Sequence, residues 1–227
     1  VGREREIALL REKLAALDQG IGSVVVITGE AGLGKSRLVA ELRAVGVARP
    51  QGQIAWFESR AISYGQSSPY DPWRQLGRQI VGATDMDTAP AVRQKLRDFI
   101  ARAGLPADNL PYYETLLAVD AEDSRTALAR LAGDAVVNGV TGAVIGAIRA
   151  VIRSGGGALP HVLVMDDLHW SDSATLELIA QVATLAGGEP LLVLCVLRPD
   201  RSAASWQLVD RLQASLGNAF ARIDLEP

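Results

Sequence analysis

The glycine-rich segment GEAGLGKS, residues 29–36, constrains the fold more than any other part of the sequence. It fits the pattern G-x-x-x-x-G-K-[ST], with Gly29, Gly34, Lys35 and Ser36 at the fixed positions. The β-branched run SVVVIT precedes it, and the helical pattern RLVAELRAVGV follows it. A strand, a glycine loop and a helix in this order direct backbone N–H groups and the positive end of the helix at one anion. The segment therefore predicts a phosphate-binding loop.

This loop predicts contacts to a nucleoside triphosphate or diphosphate. Lys35 is expected to reach the β- and γ-phosphates, and the Ser36 hydroxyl to bind Mg²⁺. The alternative, a glycine-rich turn with an exposed lysine, is disfavoured because the strand and the helix that the motif requires are both present. The predicted nucleotide contacts come from nine consecutive residues: Gly29, Glu30, Ala31, Gly32, Leu33, Gly34, Lys35, Ser36 and Arg37.

A second motif is the pair of acids in HVLVMDDLHWSD, where the apolar run Val162–Met165 ends in Asp166 and Asp167. Two adjacent carboxylates repel each other, and a bound Mg²⁺ would relieve this repulsion. Asp166 is therefore predicted to help bind Mg²⁺. Asp167 is predicted to orient or deprotonate a water that attacks the γ-phosphate. Its alternative role is to cap the next turn or helix, for which Ser171 and Asp172 also compete.

Strand and helix patterns alternate along the chain, which predicts an α/β fold with a parallel sheet covered on both faces. Strands are predicted at 23–28, 53–59, 162–165, 190–197 and 219–225. Between about 88 and 155 the patterns are helical only. We therefore expect a helical insertion between the second and third strands of one domain that spans residues 1–227.

Several other side chains have two possible roles. Arg198 follows the apolar run PLLVLCVL, and the carboxyl ends of parallel strands face the ligand crevice. Arg198 is therefore either a sensor of the γ-phosphate or a solvated arginine before a turn. His169 is expected to hydrogen-bond near the acids or to order their loop. In YGQSSPYDPW, packing of Tyr64, Tyr70 and Trp73 against the inserted helices is favoured over contact with a partner.

Charge and composition restrict the partners and the location. The net charge of −3 provides no basic field for nucleic acid or anionic lipid. The apolar segment 136–152 is interrupted by polar residues and has helical spacing, so it predicts a packed helix and not a membrane span. One cysteine, Cys195, excludes an intramolecular disulfide, and two histidines disfavour a zinc site. We expect a cytoplasmic protein that binds a nucleotide and neither nucleic acid nor membrane.

Five segments together resemble one family: VGREREIALL, VVVITGEAGLGKSRLVAEL, SSPYDPWRQL, HVLVMDDLHWSDSATLELI and LLVLCVLRPD. They are similar to the AAA-like ATPase domain of the STAND class, the signal-transduction ATPases with numerous domains. Such domains occur in bacterial LuxR-type regulators, in relatives of the maltose-regulon activator and in cyclase-linked signalling proteins. The resemblance implies a P-loop NTPase three-layer sandwich with strand order 5-1-4-3-2. It also implies that Arg198 lies beside the γ-phosphate, Val1 near the adenine, and Arg3 near the nucleotide or against the first helix.

The same resemblance implies an ATP/ADP switch that hydrolyses ATP slowly with Mg²⁺ and self-associates. In that family a winged-helix domain follows the last strand. We therefore expect this chain to be part of a longer protein, without its winged-helix and output domains. Two other functions stay open, namely a module that senses ATP against ADP with negligible hydrolysis and a small-molecule kinase, which also uses a phosphate loop. The kinase is disfavoured because the sequence has no recognisable acceptor pocket or basic lid.

Overall fold

A parallel sheet of five strands lies at the centre of the fold, in a computed structural model that describes residues 2–49, 53–63, 69–154 and 159–227. The strands are β1 (Ser23–Thr28), β2 (Ala55–Arg60), β3 (His161–Asp166), β4 (Leu191–Leu197) and β5 (Phe220–Asp224). Their order is β2-β3-β4-β1-β5, and every neighbouring pair is parallel. Read from β5, this is the predicted order 5-1-4-3-2.

Helices cover both faces of this sheet. Alternate side chains of β1 point to opposite faces, so that Val25 and Ile27 pack with α1 and α2, whereas Val24 and Val26 pack in the cluster that contains α3, α8 and α9. Because both faces are covered, β1, β3 and β4 are buried along their whole length and form continuous apolar runs in the sequence. The predicted three-layer α/β sandwich is confirmed. The helices are α1 (Glu4–Ala16), α2 (Lys35–Val47), α3 (Asp71–Val81), α4 (Ala89–Arg102), α5 (Leu110–Leu117), α6 (Glu122–Leu128), α7 (Gly133–Arg153), α8 (Ser173–Ala183) and α9 (Ala204–Leu216).

The predicted insertion between β2 and β3 contains α4 to α7, of which α4, α5 and α7 form an apolar cluster together with α3. A buried ion pair joins three of these helices. The Glu114 side chain is 1% exposed, and it accepts hydrogen bonds from Arg93 Nε at 2.5 Å and from the Ser124 hydroxyl. Arg93 also donates to Asp123 Oδ2 at 2.6 Å. This network links α4 to α5 and α6.

Helix α7 is the one helix in the described part of the chain that is long and apolar enough to cross a membrane. Its residues Val140, Val144 and Ile148 pack in the cluster on the sheet, whereas Ala143 and Ala147 pack in the cluster of the insertion. The recurrence of these residues every three or four positions gives the helix two packed sides. These contacts are those of a packed helix, as the sequence predicted.

The outer edge of β2 is covered by two glutamine side chains of α3. The Gln79 amide accepts a hydrogen bond from Glu58 N at 3.2 Å and donates to Glu58 O at 2.6 Å. One turn earlier, the Gln75 amide accepts from Arg60 N at 3.0 Å and donates to Arg60 O at 2.9 Å. Each amide thus satisfies one free donor and one free acceptor of the edge strand, which would otherwise be available for pairing with another chain. The contacts also fix the backbone of Arg60.

Replacing both glutamines with methionine, which has a similar shape and no amide, should destabilise the fold by about 1–2 kcal/mol. The reason is the loss of four hydrogen bonds to the partly hydrated edge and of a fifth from Gln75 Nε2 to Asp71 Oδ2, since water replaces only part of their contribution. Urea unfolding of the double variant against wild type measures this difference. The matched control is Gln94→Met, because Gln94 donates to Asp98 within α4, on the exposed side of that helix. A double variant as stable as this control would contradict a stabilising role for the amides.

Candidate functional site

The glycine-rich loop connects the end of β1 to the start of α2. Gly32 and Gly34 have φ values of 84° and 89°, in the left-handed region where a side chain strains the backbone. Gly29 has a different reason to be glycine, since a Cβ at this position would lie 3.0 Å from Leu225 Cβ and 3.2 Å from Leu225 O. The chain after β5 therefore packs directly on the start of the loop.

The side chain of Lys35 folds back onto this loop. Its Nζ donates hydrogen bonds to Gly29 O at 2.6 Å and to Glu30 O at 2.9 Å, and the residue is only 9% exposed. Burial lowers the pKa of the ammonium, and the nearby negative charge of Asp167 opposes this effect. The loop thus holds a positive charge against two of its own carbonyls. Ser36, the next residue, is exposed in the first turn of α2.

The two acids lie at the carboxyl end of β3 and share one arginine, Arg60. Arg60 Nη2 and Nε lie 2.8 Å and 3.2 Å from Asp166 Oδ2, and Nε lies 3.3 Å from Asp167 Oδ2. Arg60 is opposite Asp166 in the register of β2 and β3, which brings the side chains together. The residue was missed in the sequence, because β2 was predicted to end at Ser59. Its position at the carboxyl end of a strand next to the acids was the signal that could have identified it.

The competing role of Asp167 as a helix cap is not observed. The cap of α8 is Asp172, whose Oδ1 accepts a hydrogen bond from Thr175 N at 2.8 Å. Its other oxygen accepts from Tyr70 N at 3.2 Å and so ties the start of α3 to α8. Asp167 has a φ of 57° and begins a short turn without a side-chain capping bond. The Asp167 carboxylate is therefore turned towards Arg60 and not used for capping.

The other predicted side chains lie around the loop or outside the described residues. Arg198 is exposed directly after β4, and its charge acts on Lys35 and His169, whose pKa values are lowered chiefly by burial. Trp73 is buried, and its Nε1 donates to Thr175 O of α8 at 3.2 Å; it shares a cluster with Val140 and Val144 of the inserted helix α7. Tyr70 is partly buried against the same cluster, whereas Val1 and Tyr64 lie outside the described residues.

A concavity of about 520 Å³ lies beside the loop. Arg3 lines it, pairs with Glu6 of α1 at 3.1 Å and donates to the carbonyl of Glu226. Within the described residues, no three His, Cys, Asp or Glu side chains form a cluster that could hold a metal ion by themselves. The concavity is formed by the N-terminal segment, the start of α1, the loop and α2: Gly2, Arg3, Glu4, Ile7, Gly32, Leu33, Gly34, Arg37, Leu38 and Glu41.

The three-layer fold and the loop between β1 and α2 define an α/β P-loop NTPase. Residues 1–194 match the family model described as the AAA ATPase domain. This match covers most of the 227 residues, and the chain belongs to the AAA ATPase domain family.

The chain is also similar to part of several longer proteins. It is 26% identical over 219 residues to an uncharacterised protein of Rhizobium meliloti (strain 1021), covering 91% of this chain and 19% of that protein. The Drosophila ORC bound to DNA covers the whole chain at 14% identity and a TM-score of 0.50, with 42% of its own chain matched. The Aeropyrum pernix ORC1 protein in complex with DNA has 15% identity, a TM-score of 0.49 and 45% of its chain matched. At 14% identity, the likeness to the Drosophila ORC structure shows the fold alone.

Proposed function

We propose that this domain binds ATP and ADP and hydrolyses ATP slowly with Mg²⁺, as the nucleotide switch of a bacterial signalling or transcriptional regulator in the cytoplasm. The observation that carries this proposal is the convergence of charged groups at one end of the sheet. Asp167, Arg198 and Asp166 all act electrostatically on the Lys35 ammonium. Arg198 follows β4, the neighbour of β1, and the two acids stand at the end of β3, one strand further from β1. Ligands bind at these carboxyl ends in open parallel sheets.

Lys35 would bind the phosphates, whereas the two acids would act on Mg²⁺ and on the attacking water. Lys35 would exchange the carbonyls of Gly29 and Glu30 for β- and γ-phosphate oxygens, with the loop N–H groups around the same phosphates. The Ser36 hydroxyl and the Asp166 carboxylate would hold Mg²⁺, whose bound charge neutralises the phosphates. Asp167 would orient the attacking water and receive its proton, and Arg198 would stabilise negative charge on the γ-phosphate.

The position of Arg60 supports slow turnover. Its guanidinium bonds to Asp166 and contacts Asp167, the two carboxylates required for Mg²⁺ and for the water. Charge-assisted contacts of this kind must be weakened before either acid can act on another group. The Arg60 side chain is 58% exposed, so it can withdraw into solvent, and Mg²⁺ would then have to compensate the charge of Asp166, whose side chain is only 11% exposed. Hydrolysis would then require this rearrangement.

The adenine would occupy the concavity beside the loop, between the N-terminal segment and α2. Ile7 offers an apolar surface there, and Arg3 and Arg37 line the same space. Val1 is proposed to contact the base as well. The preference for adenine agrees with the AAA ATPase domain family to which the chain belongs.

The regulatory role rests on the resemblance to the STAND class. We propose that the domain self-associates or works with winged-helix and output domains of a longer protein. The net charge of −3 favours a domain that does not itself bind nucleic acid. The DNA in the ORC structures belongs to those proteins, and a likeness at this identity carries no binding property to this chain.

The experiment that tests this function is the substitution Asp167→Asn. It should lower phosphate release by about 10²–10⁴-fold, because the amide cannot accept the proton of the attacking water. The affinity for ATP with Mg²⁺ should stay within about threefold, since Asp166 and the loop remain. Phosphate release and isothermal titration calorimetry measure the two effects. The control is Asp210→Asn, which removes an exposed carboxylate on α9.

The outcomes separate the functions that the sequence left open. Unchanged hydrolysis in Asp167→Asn, with Asp210→Asn also unchanged, would contradict the role of Asp167. Tight binding of ATP by the wild type without phosphate release would favour the sensing module. Consumption of ATP only after addition of a small-molecule acceptor would favour a kinase.

A further inference from the structure

An apolar cavity of about 40 Å³ lies where the helical insertion meets α3 and the central sheet. Its wall is formed by α3, α4, α5, α7 and β3, with Trp73, Leu96, Tyr113, Ala147 and Leu163 among the side chains that line it. None of the described residues around it belongs to the phosphate-binding loop or to the concavity beside that loop. The cavity is therefore separate from the nucleotide site.

Water is a poor occupant of this cavity. The volume has room for about three water molecules, each of which needs roughly two to four polar partners. Among the described side chains that line it, only Trp73 and Tyr113 carry a polar group, and both groups are already bonded. Trp73 Nε1 donates to Thr175 O at 3.2 Å, and the Tyr113 hydroxyl donates to Ala143 O at 2.9 Å. The cavity therefore suits a small apolar group.

The helices around the cavity are prevented from closing onto it. Helices α3 and α5 already touch, because a Cβ on Gly77 would lie 2.6 Å from Leu117 Cδ2. Helix α5 is in turn held to α4 by the ion pair of Arg93 with Glu114, at 2.5 Å. The side chains that line a cavity with fixed walls lack van der Waals partners on one side, and an apolar ligand would supply them.

A surface groove of about 380 Å³ adjoins the cavity. Ile80 of α3 and Phe99 of α4 line both spaces and form the wall between them. On the outer side, the half-buried side chains of Phe57 and Val151 give the groove an apolar surface that reaches solvent. A ligand can therefore approach the cavity from this groove.

Arg102 is the one charged side chain among the described residues that line the groove. It is exposed at the end of α4, and it makes no ion pair or side-chain hydrogen bond within the part of the chain that the structure describes. The other polar side chain of the groove, Ser154, donates its hydroxyl to Val151 O at 2.8 Å. A planar guanidinium with free N–H groups fits a carboxylate, which can accept two parallel hydrogen bonds.

We propose that the groove and the cavity form a binding site for a small aliphatic carboxylic acid. Its carboxylate binds Arg102, and the end of its alkyl chain enters the cavity once the Phe99 ring changes rotamer. An alkyl end is favoured over an aromatic ring, because a cavity known to bind benzene has a volume of about 150 Å³. The site shares no described residue with the nucleotide site, so the proposal does not depend on the proposed function.

The charged end of the ligand is tested with hexanoate, 1-hexanol and hexylammonium, which have the same alkyl chain. NMR titrations of the methyl-labelled protein measure the affinities, since methyl groups of Leu96 and Ala147 line the cavity. Hexanoate should bind about fivefold more tightly than hexylammonium, as expected for one exposed ion pair. Arg102→Gln should weaken hexanoate binding by about three- to fivefold and change 1-hexanol binding by less than about twofold. The matched control is Arg97→Gln, an exposed arginine of α4 outside the groove.

The apolar end is tested by chain length. Each methylene that leaves water for the cavity should raise the affinity by about fourfold between butanoate and hexanoate. Ala147→Leu adds three carbons to the cavity wall, and it should reduce the total gain over these two methylenes to about twofold or less. Ala147→Val adds two carbons and serves the same purpose if the leucine variant does not fold.

The outcomes that overturn the proposal are distinct. Without any binding of hexanoate by the wild-type protein, the cavity is a packing void only. Equal affinities for hexanoate and hexylammonium, or equal affinities of Arg102→Gln and Arg97→Gln for hexanoate, would contradict a carboxylate site at Arg102. An undiminished gain with chain length in the folded Ala147 variants would contradict entry into the cavity. None of these titrations contains nucleotide, so a failure of the proposed function would leave their results unchanged.

Discussion

Replacing Lys35 with alanine should remove the stabilisation that ATP with Mg²⁺ gives to the wild-type protein. A ligand present at 100 times its dissociation constant stabilises the folded state by about 2.7 kcal/mol, and a variant that no longer binds gains nothing. The effect is large because Lys35 is the buried ammonium of the loop, 9% exposed and hydrogen-bonded to the loop carbonyl of Gly29. Thermal unfolding with and without nucleotide measures the shift.

The quantity to compare is the rise in the unfolding temperature when nucleotide is added, and not the stability of the nucleotide-free protein. Without ligand, the variant loses the hydrogen bonds of Lys35 to Gly29 O and Glu30 O, but it is also relieved of a buried charge. The lost hydrogen bonds lower the stability of the nucleotide-free variant, whereas the removed charge raises it. Lys13→Ala is the control, because Lys13 lies on α1 and its ion pair is with the neighbouring Glu12. Equal shifts in wild type and Lys35→Ala would contradict the assignment of the site.

The parts of the site that could be predicted from the sequence are those set by local backbone requirements. Gly32 and Gly34 occupy left-handed positions that few other residues adopt, so the loop has a recognisable pattern. Asp166 and Asp167 stand out because they end a buried strand. The continuous apolar runs of β3 and β4 likewise predicted strands covered on both faces. In each case neighbours in sequence carry the information.

The parts that could not be predicted are contacts between distant segments. Arg60 meets Asp166 across 106 positions of the chain, and the helical insertion separates them. The amide of Gln79 reaches the edge of β2 only because α3 folds back along it. The unpaired state of His169 depends on what surrounds its ring in the fold. Periodicity reports which face of an element is buried, but it does not report which polar side chains meet there.

Replacing Arg93 with methionine should destabilise the protein by about 3 kcal/mol. Removing one partner of a buried ion pair leaves an uncompensated charge, and the measured cost of this is typically about 3–5 kcal/mol. The carboxylate left behind is that of Glu114, whose side chain is 1% exposed. We expect the lower end of the range, because the Arg93 side chain is 21% exposed and Ser124 still donates to Glu114. Urea unfolding measures the loss.

Two further variants test whether the burial of the Arg93–Glu114 ion pair causes the loss of stability. Arg125→Met breaks the ion pair of Arg125 with Asp120, whose side chains are 68% and 74% exposed, and should cost at most about 1 kcal/mol. The double variant Arg93→Met with Glu114→Leu removes both charges and should regain much of the lost stability, since an apolar pair can replace a buried ion pair. If Arg93→Met lowers the free energy of unfolding no more than Arg125→Met does, the Glu114 network does not stabilise the insertion. If the double variant is less stable than Arg93→Met alone, the loss comes from packing and not from the unpaired carboxylate.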